Sequence, residues 1–266
     1  MPDPRLDLAL VAAAKCCETA VSLFRGRLAH ELKSDGSPVT QADRDCERLV
    51  RTLIARQFPH DAITGEEFGD TEGTTGYRWY LDPIDGTKSF IAGVPLWGTL
   101  IGIELDGTIA AGVAAFPALN QLIYASRGEG AWHITDWQLP GESHARAWVS
   151  STSSLDQALF CFTSAASFAR RGADQALTNL LRGTRTARGW GDCYGWLLVS
   201  TGRADVMIDT HVRPWDVAPF AVILPEAGGH FSDWRGRPDI AGGDGVASNG
   251  VLHEDVLPLL HTRSLT

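Results

Sequence analysis

The sequence predicts an α+β protein built from two helix-and-sheet layers that share one interface. Two observations favour this class. In the N-terminal half, two stretches with apolar residues at helical spacing precede segments joined by hairpin turns. In the C-terminal half, predicted helices and strands alternate. No internal repeat or flexible linker interrupts the chain, so we predict two halves, residues 1–145 and 146–266, that pack together rather than fold independently.

Two helices open the N-terminal half. Apolar residues recur at helical spacing from Leu6 to about Arg27, and turn-forming residues over 33–38 predict a loop after this first helix. Thr40 is a good N-cap for a second helix, and Pro59 ends it. The predicted buried face of the second helix comprises Ala42, Cys46, Leu49, Val50, Leu53 and Ile54.

Antiparallel strands are predicted next. They cover residues 78–81, 99–105, 109–116, 121–126 and 130–134. Asp106-Gly107 is a two-residue hairpin turn, and residues 127–129 join the last two strands. The elements predicted after these are a strand at 148–150, a helix at 174–181, a helix at 193–201, a strand at 204–208 and a helix at 215–227. Gly202 and Gly228-Gly229 stop the last two of these helices.

Composition narrows the function. The chain of 266 residues has a formal net charge of −9, which disfavours a general role in nucleic-acid binding. No apolar run reaches the ~18 residues of a membrane span, and the first ten residues lack the apolar segment of a secretory signal. The five cysteines form no C-x-x-C pair, which argues against a zinc site and favours a reducing cytoplasm.

The most informative stretch is Asp82-Pro83-Ile84-Asp85-Gly86-Thr87-Lys88, which follows a predicted strand. Two carboxylates three residues apart on a loop stiffened by proline repel each other unless a cation neutralises them. Mg²⁺ prefers oxygen ligands, and two carboxylates with a backbone carbonyl supply them. Taken alone, the stretch is equally compatible with a surface turn, because Asp-Pro and Asp-Gly are both common in turns.

Two other acidic segments strengthen the metal hypothesis. Glu66-Glu67 lies in a glycine-flanked loop, and Asp216 falls in the first turn of the last predicted helix. Each segment has a simpler interpretation by itself. Adjacent glutamates are usually a solvated surface, and an acid in a first helical turn complements the helix dipole. Together the three segments supply the carboxylates that a site for divalent metals requires.

In this order, the acidic segments resemble the signature of the inositol monophosphatase family. The matching segments are Glu66-Glu67, 82–87, 215–218 and 226–229, with further agreement at Lys33 and over 40–43. The resemblance runs from the first helix to about Asn249. It implies a layered α-β-α-β-α sandwich, and hydrolysis of a small-molecule phosphate monoester with two or three Mg²⁺ ions. By analogy it also implies a homodimer.

The resemblance implies a role for each matching residue. The metal ligands that it implies are Glu66, Asp82, Asp85, Asp216 and the backbone carbonyl of Ile84. Thr87 and Glu66 match a pair that activates the nucleophilic water. Asp43 matches an acid that hydrogen-bonds this threonine, although Asp43 also suits a capping box with Thr40. The backbone amides of Gly86 and Thr87 match a phosphate cradle.

Segments 85–90, 93–100 and 191–195 resemble the histidinol-phosphate phosphatase branch of this family, which acts in histidine biosynthesis. The substrate-binding residues that follow are Asp85, Gly86, Thr87, Lys88, Arg188, Asp192, Asp209 and Asp216. Asp192 and Asp209 suit the ammonium of histidinol, because charge-assisted hydrogen bonds are strong. Trp97, Trp190 and Trp215 lie near the motifs, where an indole face attracts a cation, but each is more simply interpreted as a core or half-buried surface residue.

Two other functions stay open. One is an inositol monophosphatase or a broader sugar- or nucleotide-phosphate phosphatase, against which Asp192-Cys193 and Trp97 argue. The other is an inactive relative that binds a phosphate ligand or a partner. It predicts the loss of a metal carboxylate, and none is missing. Asp192 has a second interpretation as a helix cap, and His211 has two, as a substrate contact or a surface residue.

Overall fold

The structure is a computed structural model that describes residues 3–24, 30–32, 38–137 and 143–261. Hydrophobic cores fill the gaps between its layers, which alternate helix, sheet, helix, sheet and helix. This order confirms the predicted α-β-α-β-α sandwich. Lys33 and residues 34–37 of the predicted loop lie outside the described residues, and so does Arg27 at the predicted end of the first helix.

Helices begin where capping groups are available. The helices of the described residues are α1 (Pro4–Leu23), α2 (Gln41–Gln57), α3 (Thr87–Ile91), α4 (Ala165–Arg171), α5 (Asp174–Gly183), α6 (Asp192–Ser200), α7 (Pro214–Val217), α8 (Phe220–Glu226) and α9 (His253–Leu260). The Asp3 carboxylate accepts the Arg5 N–H at 2.9 Å and starts α1. A capping box between Thr40 and Asp43 starts α2, and Pro59 follows its end, as predicted. No helix of these residues is long and apolar enough to cross a membrane.

Strands within the same residues form one small sheet and two large ones. They are β1 (His30–Leu32), β2 (Pro38–Thr40), β3 (Ala62–Gly65), β4 (Gly69–Thr71), β5 (Tyr77–Asp85), β6 (Gly98–Leu105), β7 (Thr108–Phe116), β8 (Gln121–Ser126), β9 (Gly130–Thr135), β10 (Ser143–Arg146), β11 (Leu159–Phe162), β12 (Thr186–Arg188), β13 (Val206–Asp209), β14 (His230–Ser232) and β15 (Gly245–Ser248). β1 pairs with β2. The eight-stranded sheet has the order β10-β9-β8-β7-β6-β5-β3-β4, and the five-stranded sheet has the order β12-β11-β13-β15-β14.

Each large sheet sends its two faces into different cores, because successive side chains of a strand point to opposite sides. Along β13, Val206 and Ile208 pack with α4, α5 and α9, whereas Met207 packs with α6 and α8. Along β7, Val113 packs with α1 and α2, and Ala114 enters the central core. The central core therefore joins both large sheets. The division of the chain near residue 145 stays a prediction.

Two predicted elements are wrong. Residues 148–150 do not form a strand, because the Val149 N–H donates to the carbonyl of Ala227 while the Ser150 hydroxyl donates to Asp205. These hydrogen bonds go to two different neighbours instead of one ladder. The helix predicted over 215–227 is split into α7 and α8, since Pro219 between them has no N–H to donate.

Close packing of β7 on the break between α7 and α8 gives a test of the fold. A Cβ at Gly112 would lie 2.6 Å from the Pro219 Cα, so Gly112→Ala should lower the free energy of unfolding by about 1–3 kcal/mol. Gly183→Ala is the matched control, because a Cβ there meets nothing within 4 Å and alanine favours the helix. Urea unfolding measures both variants, and equal midpoints would contradict this account.

Candidate active site

A β-bulge near the end of β5 places Asp82 and Asp85 together. Asp82 lies opposite Leu100 and Asp85 opposite Gly98, so three steps along β5 match two steps along β6. Residues three apart on a regular strand face opposite sides, and the extra residue of the bulge turns Asp85 back to the side of Asp82. Pro83 lies within the bulge, which is where a central strand tolerates proline.

Asp216 of α7 joins these two residues. Carboxylate oxygens of Asp82, Asp85 and Asp216 lie within 4.8 Å of one another. The Cys193 N–H donates to Asp85, and the Arg213 N–H donates to Asp216 at 2.8 Å. Oδ1 of Asp82 is buried, and no described residue gives it a hydrogen bond. The three side chains form what we call the acid cluster.

Crowding makes the acid cluster expensive to ionise. Burial raises the pKa of Asp82 well above its usual range, and repulsion by Glu66 and by the other two members of the cluster raises it further. Burial and the nearby charges of Asp192 and Asp216 do the same to the pKa of Asp85. The pKa of Asp216 rises to about 8, mainly because the carboxyl is buried. An all-oxygen cluster with an unpartnered buried oxygen fits a hard divalent cation.

Glu66 follows β3 and lies beside the end of β5. Its N–H donates to the carbonyl of Leu81 at 3.1 Å. Its charge raises the pKa values of Asp82 and Asp216, although burial contributes more to both. Glu66 thus adds a fourth carboxylate beside the acid cluster.

A carboxylate that no motif predicted holds the turn after Glu66. Glu47 of α2 is fully buried and accepts the N–H groups of Glu67 at 2.8 Å and Phe68 at 3.2 Å. Arg51 balances its charge with an Nε contact of 2.7 Å. Gly65 has room only for hydrogen, because a Cβ would lie 2.1 Å from Glu47 Oε1. In the sequence, only its position one helical turn after Asp43 pointed to Glu47, and that is weak evidence.

The acid cluster lines one side of a cavity of 160 Å³, which we call the acid cavity. Its lining residues are Glu66, Asp82, Ile84, Asp85, Gly86, Thr87, His211, Arg213, Trp215 and Asp216. Gly86 has φ +81°, a left-handed conformation that favours glycine, and α3 begins after it. The Thr87 hydroxyl donates to the Ile84 carbonyl at 3.1 Å. Most of the residues predicted for the metal and phosphate sites therefore meet in this cavity.

Asp43 does not make its predicted contact with Thr87. Its Oδ2 accepts both the N–H and the hydroxyl of Thr40, at 2.8 and 2.5 Å, so the capping box uses it. Thr87 donates to Ile84 instead. Asp43 still lies close enough to Glu66 for repulsion to add to the effect of burial, which raises the pKa of Asp43.

A second cavity of 180 Å³, the side cavity, adjoins the first. The two share Asp85, His211 and Asp216. The other residues that line it are Lys88, Thr163, Ser164, Ser167, Arg170, Asp192, Cys193, Trp196, Asp209 and Val212. Burial raises the pKa of Asp209 to about 7, against the opposing effect of a hydrogen bond from Thr163. Burial also raises the pKa of Asp192, and the charge of Lys88 opposes it.

The remaining predicted contacts lie elsewhere. Arg188 is exposed at the end of β12, donates to the Ala187 carbonyl and lines neither cavity. Trp97 is fully buried among Phe24 and Phe90, so it is a core residue. A larger cavity of 880 Å³ contains none of the predicted site residues, so chemistry rather than size selects the acid cavity. Thr163, Ser164, Ser167, Arg170 and Arg213 line the two site cavities without any motif to predict them.

Known proteins share both the sequence and the fold of this chain. It is 40% identical to a histidinol-phosphatase from Chlorobaculum parvum, over 96% of this chain and 95% of that protein. It is 38% identical to one from Mycobacterium tuberculosis, over 96% and 97%. Among solved structures, the Thermotoga maritima IMPase superposes with a TM-score of 0.84 at 27% identity, covering 97% of each chain. The suhB protein from Bartonella henselae gives 0.88 at 24% identity, covering 98% and 99%, which supports the fold alone.

The match extends over the entire site. A family model described as the inositol monophosphatase family covers residues 1–265, which include both cavities and every residue that lines them. This family is metal-dependent, as the chemistry of the acid cluster requires. The chain belongs to the inositol monophosphatase family.

Proposed function

We propose that this chain is a Mg²⁺-dependent phosphatase that hydrolyses L-histidinol phosphate to L-histidinol and phosphate. The observation that carries the proposal is the side cavity, in which Asp192 and Asp209 adjoin the acid cavity. Histidinol has an ammonium near its phosphate ester, and a pair of carboxylates complements that charge. Similarity to histidinol-phosphatases at 36–40% identity supports the same substrate.

The acid cavity is the proposed metal site. The ligands would be Glu66, Asp82, Asp85, Asp216 and the carbonyl of Ile84. That carbonyl accepts a hydrogen bond from the Thr87 hydroxyl, and a carbonyl oxygen has two lone pairs. When bound, two or three Mg²⁺ ions supply charge neutralisation at the phosphate and a lowered pKa for the attacking water.

The chain's own residues orient the reactants. We propose that the backbone amides of Gly86 and Thr87 bind phosphate oxygens, and that Glu66 and the Thr87 hydroxyl orient the water. Asp43 acts on Glu66 electrostatically, because the two carboxylates lie close enough for their charges to interact. Water attacks the phosphorus and loses a proton, the P–O bond to histidinol breaks, and a proton returns to the histidinol oxygen, so that one water is consumed. No covalent phosphoenzyme is needed.

The side cavity then receives the leaving group. Asp192 and Asp209 pair with the ammonium, and that positive charge favours their ionised forms despite burial. Lys88, which also lines this cavity, would exchange its interaction with Asp192 for one with the phosphate. Arg188 has no part in this scheme, because it lines neither cavity.

A broader phosphatase activity is the second candidate. A Thermotoga maritima protein named fructose-1,6-bisphosphatase/inositol-1-monophosphatase is 31% identical over 84% of this chain. Trp97 no longer argues against such an activity, because it is buried in the core. The distinction therefore rests on Asp192. An inactive relative is disfavoured, because every predicted metal carboxylate lies in the acid cavity.

Family resemblance is also the basis for two further proposals, a homodimer and a cytoplasmic location. Light scattering of the purified protein tests the first, and fractionation of the source cells tests the second. The net charge of −9 supports a small-molecule substrate rather than a nucleic acid.

Metal removal is the first test of this function. Phosphate release should stop in excess chelator and return with Mg²⁺, while a zinc-selective chelator should change little, because the proposed ligands are all oxygens. The control is chelator saturated with Mg²⁺ before it is added. Full activity in excess chelator would refute the metal site.

Charge removal in the acid cluster is the second test. Asp85→Asn should abolish turnover yet leave the metal-free protein at least as stable as the wild type, because one repelling charge is gone. Thermal melting without metal measures the stability, and Asp7→Asn on the exposed side of α1 is the control. Turnover near the wild-type rate would show that the metal cluster lies elsewhere.

Substrate selectivity is the third test. Histidinol phosphate should be preferred over myo-inositol 1-phosphate by more than about tenfold in kcat/KM, or about 1.4 kcal/mol. Asp192→Asn should weaken catalysis on histidinol phosphate by about 1–3 kcal/mol and affect an amine-free monoester far less. Asparagine tolerates the φ of +50° at this position, so the backbone is preserved. The helix-cap interpretation of Asp192 is wrong, because Gly191 is the N-cap of α6 and no side chain caps it. Equal losses on both substrates, with a lower melting temperature, would show that Asp192 acts on the fold rather than on the leaving group.

A further inference from the structure

Thr163 connects the carboxylate of Asp209 to the backbone of Asp192 in the side cavity. Its hydroxyl donates to Oδ2 of Asp209 at 2.6 Å and accepts the N–H of Asp192 at 2.9 Å. A hydroxyl has one proton to donate, and here the Asp209 carboxylate accepts that hydrogen bond. Thr163 therefore lines the cavity as a bridge between two acids, with no proton left to donate to a ligand.

The turn that carries Asp192 also rests on Thr163. Asp192 has φ +50°, a left-handed conformation that non-glycine residues seldom adopt without support. Gly191, the residue before it, packs so tightly that a Cβ there would lie 2.1 Å from the Thr163 Cα. One residue thus supports this turn with its backbone and tethers it with its hydroxyl.

Sheet register places Thr163 beside Asp209. β11 and β13 are parallel neighbours, with Phe162 opposite Ile208, so the next residue of each strand is Thr163 and Asp209. Both residues lie at the same edge of the five-stranded sheet, and α6 begins next to this edge. The spacing between Asp192 and Asp209 is consequently set through one side chain.

We propose that Thr163 is the positioning residue that fixes this spacing and thereby sets the selectivity for a leaving group that carries an ammonium. The inference rests on the proposed function, since it assumes that the leaving group occupies the side cavity. A bridge of this kind acts on binding of the leaving group, because the Thr163 hydroxyl bonds Asp209 and Asp192 and not the acid cluster.

Thr163→Val tests the bridge, because it removes the hydroxyl and keeps the branched shape. It should lower kcat/KM for histidinol phosphate about tenfold, chiefly by raising KM, and change kcat/KM for phenyl phosphate less than about threefold. Thr163→Ser restores the hydroxyl and should return both values to within about threefold of the wild type. Thr184→Val is the matched control: it removes a hydroxyl bonded to the Leu180 carbonyl at 2.7 Å, outside both cavities.

The decisive quantity is the ratio of the two kcat/KM values in one sample, because partial unfolding cancels from it. An unchanged ratio in Thr163→Val, or a ratio that Thr163→Ser fails to restore, would overturn the positioning role. A wild-type enzyme that prefers phenyl phosphate would overturn the proposed function instead. The bridge would then still predict a shifted ratio in Thr163→Val, so the two failures are distinguishable.

Discussion

Repulsion among buried carboxylates is the constraint on which the rest of this structure depends. Burial raises the pKa values of Asp82, Asp85 and Asp216, and the charges of nearby carboxylates raise them further. Within the described parts of the chain, none of the three forms an ion pair with a basic side chain. The fold must therefore hold them together against their own charge. A divalent cation reverses the balance, because each carboxylate then attracts the shared charge between them.

Main-chain devices do this holding. The bulge of β5 turns Asp85 toward Asp82, the first turn of α7 fixes Asp216 through the Arg213 N–H, and Glu47 binds the turn that follows Glu66. Each of these three arrangements depends on a backbone N–H group or on the register of a strand. A site built in this way has little freedom to relax when no cation compensates its charge. Its geometry is therefore set before any ligand binds.

The sequence predicted the parts of this site that depend on local chemistry. The three acidic segments and most helices and hairpins follow from spacing and turn residues. Glu47 and Thr163 were not predictable, because they act only through contacts between distant segments. Pro83 in a central strand was the local sign of the bulge. Arg188 and Trp97 lie near motifs in sequence but outside both cavities. The strands β11 and β12 were not predicted, because they are too short to show an alternation of apolar and polar residues.

Two glycines outside the cavities allow the segment after α7 to lie close to the eight-stranded sheet. Gly102 and Gly112 face the segment just after α7, where a Cβ at Gly102 would lie 2.5 Å from the Cβ of Ala218. The segment that follows the helix of Asp216 thus lies close to the backbone of β6 and β7. The distance of that segment from β6 and β7 is then set by van der Waals radii, which temperature and solvent barely change. These two positions act as a spacer of fixed thickness, and a methyl group added to either would push the segment after α7 away from the sheet.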